Sequence, residues 1–552
     1  MMQFTYDVTM FKETFEHEFT WLNGFMRNVH RFATSTAVFC PSDGRSWTYQ
    51  ELNCDANQLG HALQSDGCGK NDVVMYMLYN SPEFIFAYIA SQKIGAINCP
   101  VNYRLSSGEL AAIIEDSAPQ VFIYDDCLAK TVRSALELSE YQPKHLICVR
   151  SDGGPLSYES ESLCAIAYSS YVAGMSRANP QPEQKAHIYD ETTRLYTSGT
   201  TSRARAVPMN NINEVLSSHD VMMHFPLNPT DRTMNMTPWF HRGGLHSGGP
   251  TPTLYAGGEV VILREFNPKL CLKYVEEHRV TFLVGVPSII ALLARAQERD
   301  PADLSSLRGI VTMGSPFEKN ACEKYRKLFT PNIFNGYGTT ETFWNTFLRP
   351  YNLPQMAGSA GQACTDDEVR IVRAVEGGHA EPDDLVAKDN QEVGEIIIKA
   401  PAKSTFCYVN NPQMTRQKFY KGYHYTGDLG TWDENEFVTV VSRKDDMILC
   451  NGENIYPTQI EAVINAHPKV QESAVIGVAD RLHGQSIAAY IVPSDPSLTI
   501  EEVKRYCVGV PLLSSYKRPR FYYLVKELPH TATGKIKHYK LRQQVAEGNQ
   551  PH

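Results

Sequence analysis

The chain is poor in the features that would send it to a membrane, a nucleic acid or an oxidising compartment. Nothing in its 552 residues approaches the roughly 18 continuous apolar residues of a membrane span. Residues Met1 to Glu18 mix Asp, Lys and Glu with apolar positions, so the uninterrupted apolar segment of a signal peptide is missing. There is no broad basic field, since the net charge is -9; this argues against nucleic acid and anionic membrane as partners, while leaving room for a local basic cluster around a phosphate. The thirteen cysteines are odd in number, scattered, and contain no Cys-x-x-Cys, which argues against a zinc site and a disulfide framework and fits a reducing, cytoplasmic setting. Internal repeats and low-complexity segments are absent as well.

What is present is the composition of a soluble globular protein, 42% hydrophobic and 20% charged, on a chain too long for one core. Helix-like and strand-like segments alternate through the first half. Helices are predicted over Tyr49 to Gln64, Pro82 to Ile94 and Leu270 to Glu277, and strands over Asp72 to Leu78, Leu146 to Val149, Glu259 to Leu263 and Val280 to Val286. Such alternation predicts parallel sheets covered on both faces, with ligands at the carboxyl ends of the strands. From Glu392 the pattern turns to meander-like strands, Val393 to Lys399 and Phe437 to Val441. After Asp445 comes a domain-sized piece with a helix starting near Pro457 and strands near Ala474 to Val478, Ile487 to Val492 and Phe521 to Val525.

The apolar-alternating stretch Thr192 to Tyr196 empties into Thr197-Ser198-Gly199-Thr200-Thr201-Ser202-Arg203-Ala204-Arg205. Unobstructed backbone N–H groups, the hydroxyls of Thr197, Ser198, Thr200 and Thr201, and the cations Arg203 and Arg205 suit a phosphate chain. The run lacks the Gly-Lys-Ser/Thr ending of the commoner nucleotide loop, and by itself it reads equally as a solvated turn.

Four further polar clusters follow in order: Asn335-Gly336-Tyr337-Gly338-Thr339-Thr340-Glu341, Tyr425-Thr426-Gly427-Asp428, Arg443-Lys444-Asp445-Asp446, and Pro529 through Thr531 to Gly534-Lys535. On these motifs the chain resembles the adenylate-forming superfamily of acyl- and aryl-CoA synthetases, luciferases and peptide-synthetase adenylation domains, from about Trp47 to Lys535. Residues Asp445 to Glu461 are most similar to the halobenzoate and related carboxylate–CoA ligases.

The resemblance implies an α/β multidomain fold: a large N-terminal domain of stacked α/β sheets plus a β-rich subdomain (residues 1–444), and a small, mobile α+β C-terminal domain (445–552). It implies ATP, Mg2+ and coenzyme A, with a small carboxylic acid as substrate and a homodimer left open. Thr197, Ser198, Gly199, Thr200, Thr201 and Arg205 would hold the β- and γ-phosphates. Tyr337 would face adenine, Gly338 and Thr339 would lie beside it, Thr340 would contact phosphate and Glu341 would carry the magnesium. Asp428 would accept both ribose hydroxyls, and Arg443 would contact the same ribose. Lys535 would be the catalytic lysine, withdrawn during the second half-reaction by rotation about Asp445. In that second pose Gly452 would line the pantetheine channel, with His483, Tyr516 and Arg518 contacting CoA. His241 would close over the substrate carboxylate, Trp239, Arg242, Gly314, Asn335 and Gly336 would shape the acid site, and Ser315 and Pro316 would approach substrate and adenine.

The chain departs from the family pattern at Ser202, Ala204, Arg205 and Ala206, where Gly, Pro, Lys and Gly are usual; these changes are expected to slow closure of the loop. Arg242 and His246 are polar for a fatty-acid tunnel, which points to an aromatic or short acid with a second polar group. The alternatives to a CoA ligase are an adenylating enzyme that loads a carrier protein in trans, and a non-catalytic nucleotide-binding homologue motivated by the altered loop.

Overall fold

The computed structural model describes residues 7–197, 205–314, 317–375, 377–450, 453–480, 484–510, 513, 517–531 and 534–547. The chain divides into two compact units, 1–368 with 399–424, and 369–398 with 425–552.

The first unit is built on two mostly parallel sheets. One runs in the order Ile166–Ala167, His145–Val149, Val121–Asp125, Val73–Met77, Ile97–Pro100, Glu191–Thr197, Arg205–Asn210. The other runs Gln362–Ala363, Phe343–Leu348, Ile333–Thr339, Gly309–Met313, Phe282–Gly285, Arg232–Asn235, Glu259–Val261, Thr36–Cys40, Arg45–Thr48. Parallel pairing holds as expected except at the edges. There Glu191–Thr197 pairs antiparallel with Arg205–Asn210, and Ile333–Thr339 with Phe343–Leu348. Both candidate ligand loops therefore leave strands that turn back on themselves.

Helix Pro82–Ile94 shows how local chemistry sets these elements. The Ser81 hydroxyl accepts the N–H of Phe84, Pro82 occupies the first turn, and Gly95 closes the helix at φ +75°. Every residue of this helix is buried, and one core cluster joins it to Tyr76 and Ile123 of the first sheet and Val38 and Ile262 beside the second. Its few polar side chains are enclosed with the rest, Lys93 being bonded to Asn53 at 2.8 Å and Asn179 at 3.0 Å, so the helix has no solvent face to offer. Each large apolar side chain so buried contributes about 1.5–3 kcal/mol.

In the second unit, strands Glu368–Val372, Gly394–Lys399, Tyr423–Trp432 and Val438–Arg443 follow one another in a β-rich sheet. The C-terminal piece is α+β, with strand order Glu453–Ile455, Ile448–Cys450, Gly484–Pro493, Val470–Asp480 and with Phe521–Leu524 parallel to Gly484–Pro493. Alternation along Val470–Asp480 sends Val475 toward Ile460, Ile464 and Val503, and sends Ala474 and Ile476 toward Leu541, so helices cover both faces of this sheet.

Candidate active site

In the first unit the site is organised by the hairpin that carries Thr339, Thr340 and Glu341. Strand Ile333–Thr339 reverses into Phe343–Leu348, with Thr339 opposite Phe343 and Gly338 opposite Trp344. Phe343 closes the reversal at φ +61°, a left-handed backbone that costs a non-glycine residue about 1–2 kcal/mol. A β-carbon on Gly338 would lie 1.5 Å from the Phe343 carbonyl oxygen, so only glycine passes there. Gly336 is likewise confined, with a β-carbon position 2.9 Å from the indole nitrogen of Trp344. The Asn335 side chain accepts a hydrogen bond from the Thr312 hydroxyl at 2.7 Å, and Gly314 ends the neighbouring strand at φ +84°.

Glu341 is buried, and its Oε1 accepts the Tyr408 hydroxyl at 2.6 Å. Burial alone would raise its pKa, but the charge of His424 and the Tyr408 hydrogen bond prevail and hold the carboxyl below the usual range. A buried carboxylate kept ionised is the hard oxygen donor that Mg2+ prefers. Arg205 interacts with the same Tyr408 hydroxyl, which places the last residue of the hydroxyl-rich run next to Glu341. Thr197 ends its strand directly opposite Arg205. Ser198, Gly199, Thr200, Thr201, Ser315, Pro316, Gly452, His483 and Tyr516 lie outside the described residues.

Three expectations about the acid site need correction. The Arg242 side chain does not face solvent or an acid: it is 3% exposed, and its fork is committed to the Thr340 carbonyl at 2.6 Å, the Lys403 carbonyl at 2.8 Å and the Ser217 hydroxyl at 3.3 Å. Burial lowers its pKa to about 10, partly offset by Glu214 and Glu341. His246 pairs with Glu214 at 2.7 Å, both fully enclosed, and Glu214 also accepts the Thr193 hydroxyl at 2.7 Å. Trp239 belongs to the core, its ring edge-on to Phe84 at 5.5 Å. The polarity of Arg242 and His246 is thus spent inside the protein, and the inference of a second polar group on the acid loses its basis. His241 caps the short helix Arg242–His246, and its ring lies 4.3 Å from that of Phe240.

Sequence reading missed the charges beneath the hairpin. Lys403 is 1% exposed, bonded to Asp220 at 3.0 Å, to Asp367 at 2.7 Å and to the Trp344 carbonyl at 2.5 Å. Asp220, His224 and Cys364 bring candidate metal-ligand atoms within 4.8 Å of one another. Asp220 and His224 are already engaged without an ion. Arg349 donates to His224 Nδ1 at 2.6 Å, which leaves Nε2 to carry the proton it gives Asp220 at 3.0 Å.

In the second unit, Asp428 and Arg443 face each other across an antiparallel pair, with a guanidinium–carboxylate distance of 2.5 Å. Lys535 follows Gly534, whose φ is +81°, in a tight turn in which the Thr531 N–H donates to the Lys535 carbonyl and the Gly534 N–H to the Thr531 carbonyl. The Lys535 side chain is exposed overall, yet its ammonium sits deep enough among neighbouring atoms for desolvation to lower its pKa; Asp428 opposes the fall and Arg443 adds to it. Asp428 and Arg443, themselves paired, thus both act on the charge of Lys535. Asp445 lies in the short 3-10 turn Lys444–Asp446, flanked by a Lys444–Glu395 pair at 2.7 Å and an Arg542–Asp446 pair at 2.7 Å. Arg518 donates to the Val508 carbonyl at 3.3 Å.

Residues 25–406 match the AMP-binding enzyme family, and residues 459–535 match the AMP-binding enzyme C-terminal domain. The chain is 29% identical to an indoleacetate–CoA ligase of Aromatoleum aromaticum over 93% of its own length and 95% of that protein's. It is 30% identical to a 2-succinylbenzoate–CoA ligase of a Geobacillus species over 90% and 92% of the two chains. The fold superposes with a TM-score of 0.79 on the o-succinylbenzoate CoA synthetase of Bacillus subtilis in complex with its acyl-adenylate intermediate, at 26% identity, covering 97% of this chain and 99% of the other. Among the described residues no helix is long and apolar enough to cross a membrane. With its ordered motifs, its two-sheet first unit and these relatives, the chain belongs to the AMP-binding enzyme family.

Proposed function

We propose that this protein is an AMP-forming acid–thiol ligase that couples a carboxylic acid to coenzyme A. In the first half-reaction the acid's carboxylate oxygen attacks the α-phosphorus of ATP in line and pyrophosphate leaves. In the second the CoA thiol, giving up its proton, attacks the acyl carbonyl and AMP leaves. The observation that carries this reading is the Asp428–Arg443 pair at 2.5 Å, whose charges both act on the Lys535 ammonium. An ammonium delivered next to a ribose-binding carboxylate is placed to meet charge as it develops on the α-phosphate. Little covalent chemistry is asked of the protein, so positioning and charge stabilisation supply the rate. A magnesium ion held at Glu341 would neutralise phosphate oxygens. Asp428 would orient the ribose, and Thr340 would donate to phosphate.

The acid is proposed to be aromatic. Support comes from the relatives named for indoleacetate and 2-succinylbenzoate, and from the aromatic wall around Gly336, where Phe343, Trp344 and Phe347 stand within 4.7–4.9 Å of one another in successive pairs. The C-terminal piece from Asp445 is proposed to swing between the half-reactions about that residue, carrying Lys535 away and presenting Gly452, His483, Tyr516 and Arg518 to CoA. The test is AMP release across a panel of aryl acids, dicarboxylates and long-chain fatty acids, with CoA and with a carrier-protein thiol as acceptors. CoA-dependent turnover greatest with an aryl acid supports the reading; pyrophosphate release with none of the acids would refute it. Turnover only with carrier protein would reassign the second step.

A further inference from the structure

Two buried cations grip the two ends of the hairpin that carries Glu341. Arg242 donates to the carbonyl of Thr340, immediately before Glu341, and Lys403 donates to the carbonyl of Trp344, three residues after it. The two grips are linked, because Arg242 also holds the Lys403 carbonyl at 2.8 Å. Between them Phe343 is held at φ +61° with its ring 5.4 Å beneath the Arg242 guanidinium. Thr342 and Asn345 brace the same turn: the Thr342 hydroxyl donates to Asn345 Oδ1 at 2.6 Å, and Asn345 Nδ2 donates to Asp367, which pairs with Lys403. Arg242 and Lys403 are both almost wholly buried. A buried cation costs desolvation, which is offset here by carbonyls and carboxylates that would be orphaned without it.

We propose that Arg242 and Lys403 are positioning residues that hold the reversal Thr340–Trp344 in its strained form, and so set Glu341 and Thr340 for magnesium–nucleotide binding. The inference rests on the ligase reading of the preceding section. If the clamp holds strain, a residue at position 343 that adopts a positive φ freely makes the clamp dispensable. If Arg242 only fills space, removing the Phe343 ring as well makes matters worse.

The experiment is calorimetric binding of ATP to the full chain, with and without Mg2+, for the wild type, Arg242→Met, Lys403→Met, Phe343→Gly and the double variant Arg242→Met/Phe343→Gly, each at matched folded fraction. Expected is a loss of about tenfold or more in Mg–ATP affinity for Arg242→Met, a smaller loss for metal-free ATP, and recovery of most of it in the double variant. Lys403→Met is expected to move affinity in the same direction. Mg–ATP affinity within about twofold of wild type in Arg242→Met, or a double variant weaker than Arg242→Met, overturns the proposal. Should Arg242→Met not fold, Arg242→Lys keeps the charge but cannot span both carbonyls, and it carries the same comparison. A wild type that binds no Mg–ATP would sink the ligase reading itself and the clamp with it; a wild type that binds while Arg242→Met binds equally sinks the clamp alone.

Discussion

Arg443 and Asp428 stand opposite each other across one antiparallel pair, with Nη1 2.5 Å from the carboxylate, and Arg443 makes a second bond to the Thr426 carbonyl at 3.2 Å. The guanidinium therefore fixes the carboxylate that the ribose is proposed to meet. Removing that carboxylate in Asp428→Ala deletes charge-assisted hydrogen bonds of about 1.5–3 kcal/mol, which corresponds to an increase of about 10- to 150-fold in the KM for ATP. The KM for the acid should change little, and steady-state kinetics with each substrate varied in turn tests the split. An equal rise in both values would remove Asp428 from the nucleotide site.

Lys535 should separate the half-reactions. Lys535→Ala is expected to abolish most acid-dependent pyrophosphate exchange, a loss of about 2.7–4 kcal/mol if it acts as an oxyanion-type donor. The same variant should convert pre-made acyl-adenylate and CoA to thioester at close to the wild-type rate. Equal loss in the two assays contradicts the assignment. Its environment also sets a pH limb: desolvation lowers the ammonium pKa, so adenylate formation is full below that value and falls as pH rises through it, earlier than an ordinary lysine would allow. Asp428→Asn removes the group that opposes the fall and should shift the limb to lower pH. Lys535→Arg, charged throughout, should flatten it.

Asp367 carries a stability signature that unfolding measurements read without any substrate. Burial raises its pKa to about 6 against the pull of Lys403, above the value it has in an unfolded chain. The folded state therefore binds this proton more tightly than the unfolded state. Its contribution to stability is greatest at low pH and declines as pH rises from about 4 to about 6, by up to roughly 3 kcal/mol. Buried carboxylates whose pKa is lowered, Asp220 and Glu214 among them, act in the opposite sense. The difference between wild type and Asp367→Asn in urea unfolding therefore isolates the effect: the variant should gain on the wild type between pH 4.5 and 7. A difference that does not change with pH would refute this.

Local signals carried much of the fold, and long-range charge carried what was missed. The helix Pro82–Ile94 was legible to the residue because Ser81, Pro82 and Gly95 punctuate an apolar run. The strand over Ala474 to Val478 was legible by alternation, although pairing with Gly484–Pro493 lengthens it to Val470–Asp480. The motifs singled out Asp428 and Arg443, which the structure pairs at 2.5 Å. Lys403 was not, since Ala-Pro-Ala-Lys-Ser-Thr reads as a solvated loop and its partner Asp220 lies 183 residues away. Arg242 misled for the same reason: beside Gly243 and Gly244 it looks free to face a ligand, and only the approach of Thr340 and Lys403 shows that its fork is already used. Tyr408 gave no signal at all, yet it holds Glu341.

Asp445 supplies the test of the swing. It sits in a 3-10 turn, whose φ of about -50° to -70° is the one proline imposes, so Asp445→Pro is compatible with the observed pose at residue 445 while it removes other values of φ. Asp428 acts electrostatically on Lys535 here, the relation proposed to serve adenylate formation. Pyrophosphate exchange should therefore survive in the variant while thioester formation from pre-made adenylate falls, the mirror image of Lys535→Ala. A following proline disfavours helical backbone at Lys444, so thermal unfolding of the variant must first establish that it is folded. Folded protein that makes thioester at the wild-type rate would show that rotation about residue 445 is not needed, and the swing would have to be sought at another bond.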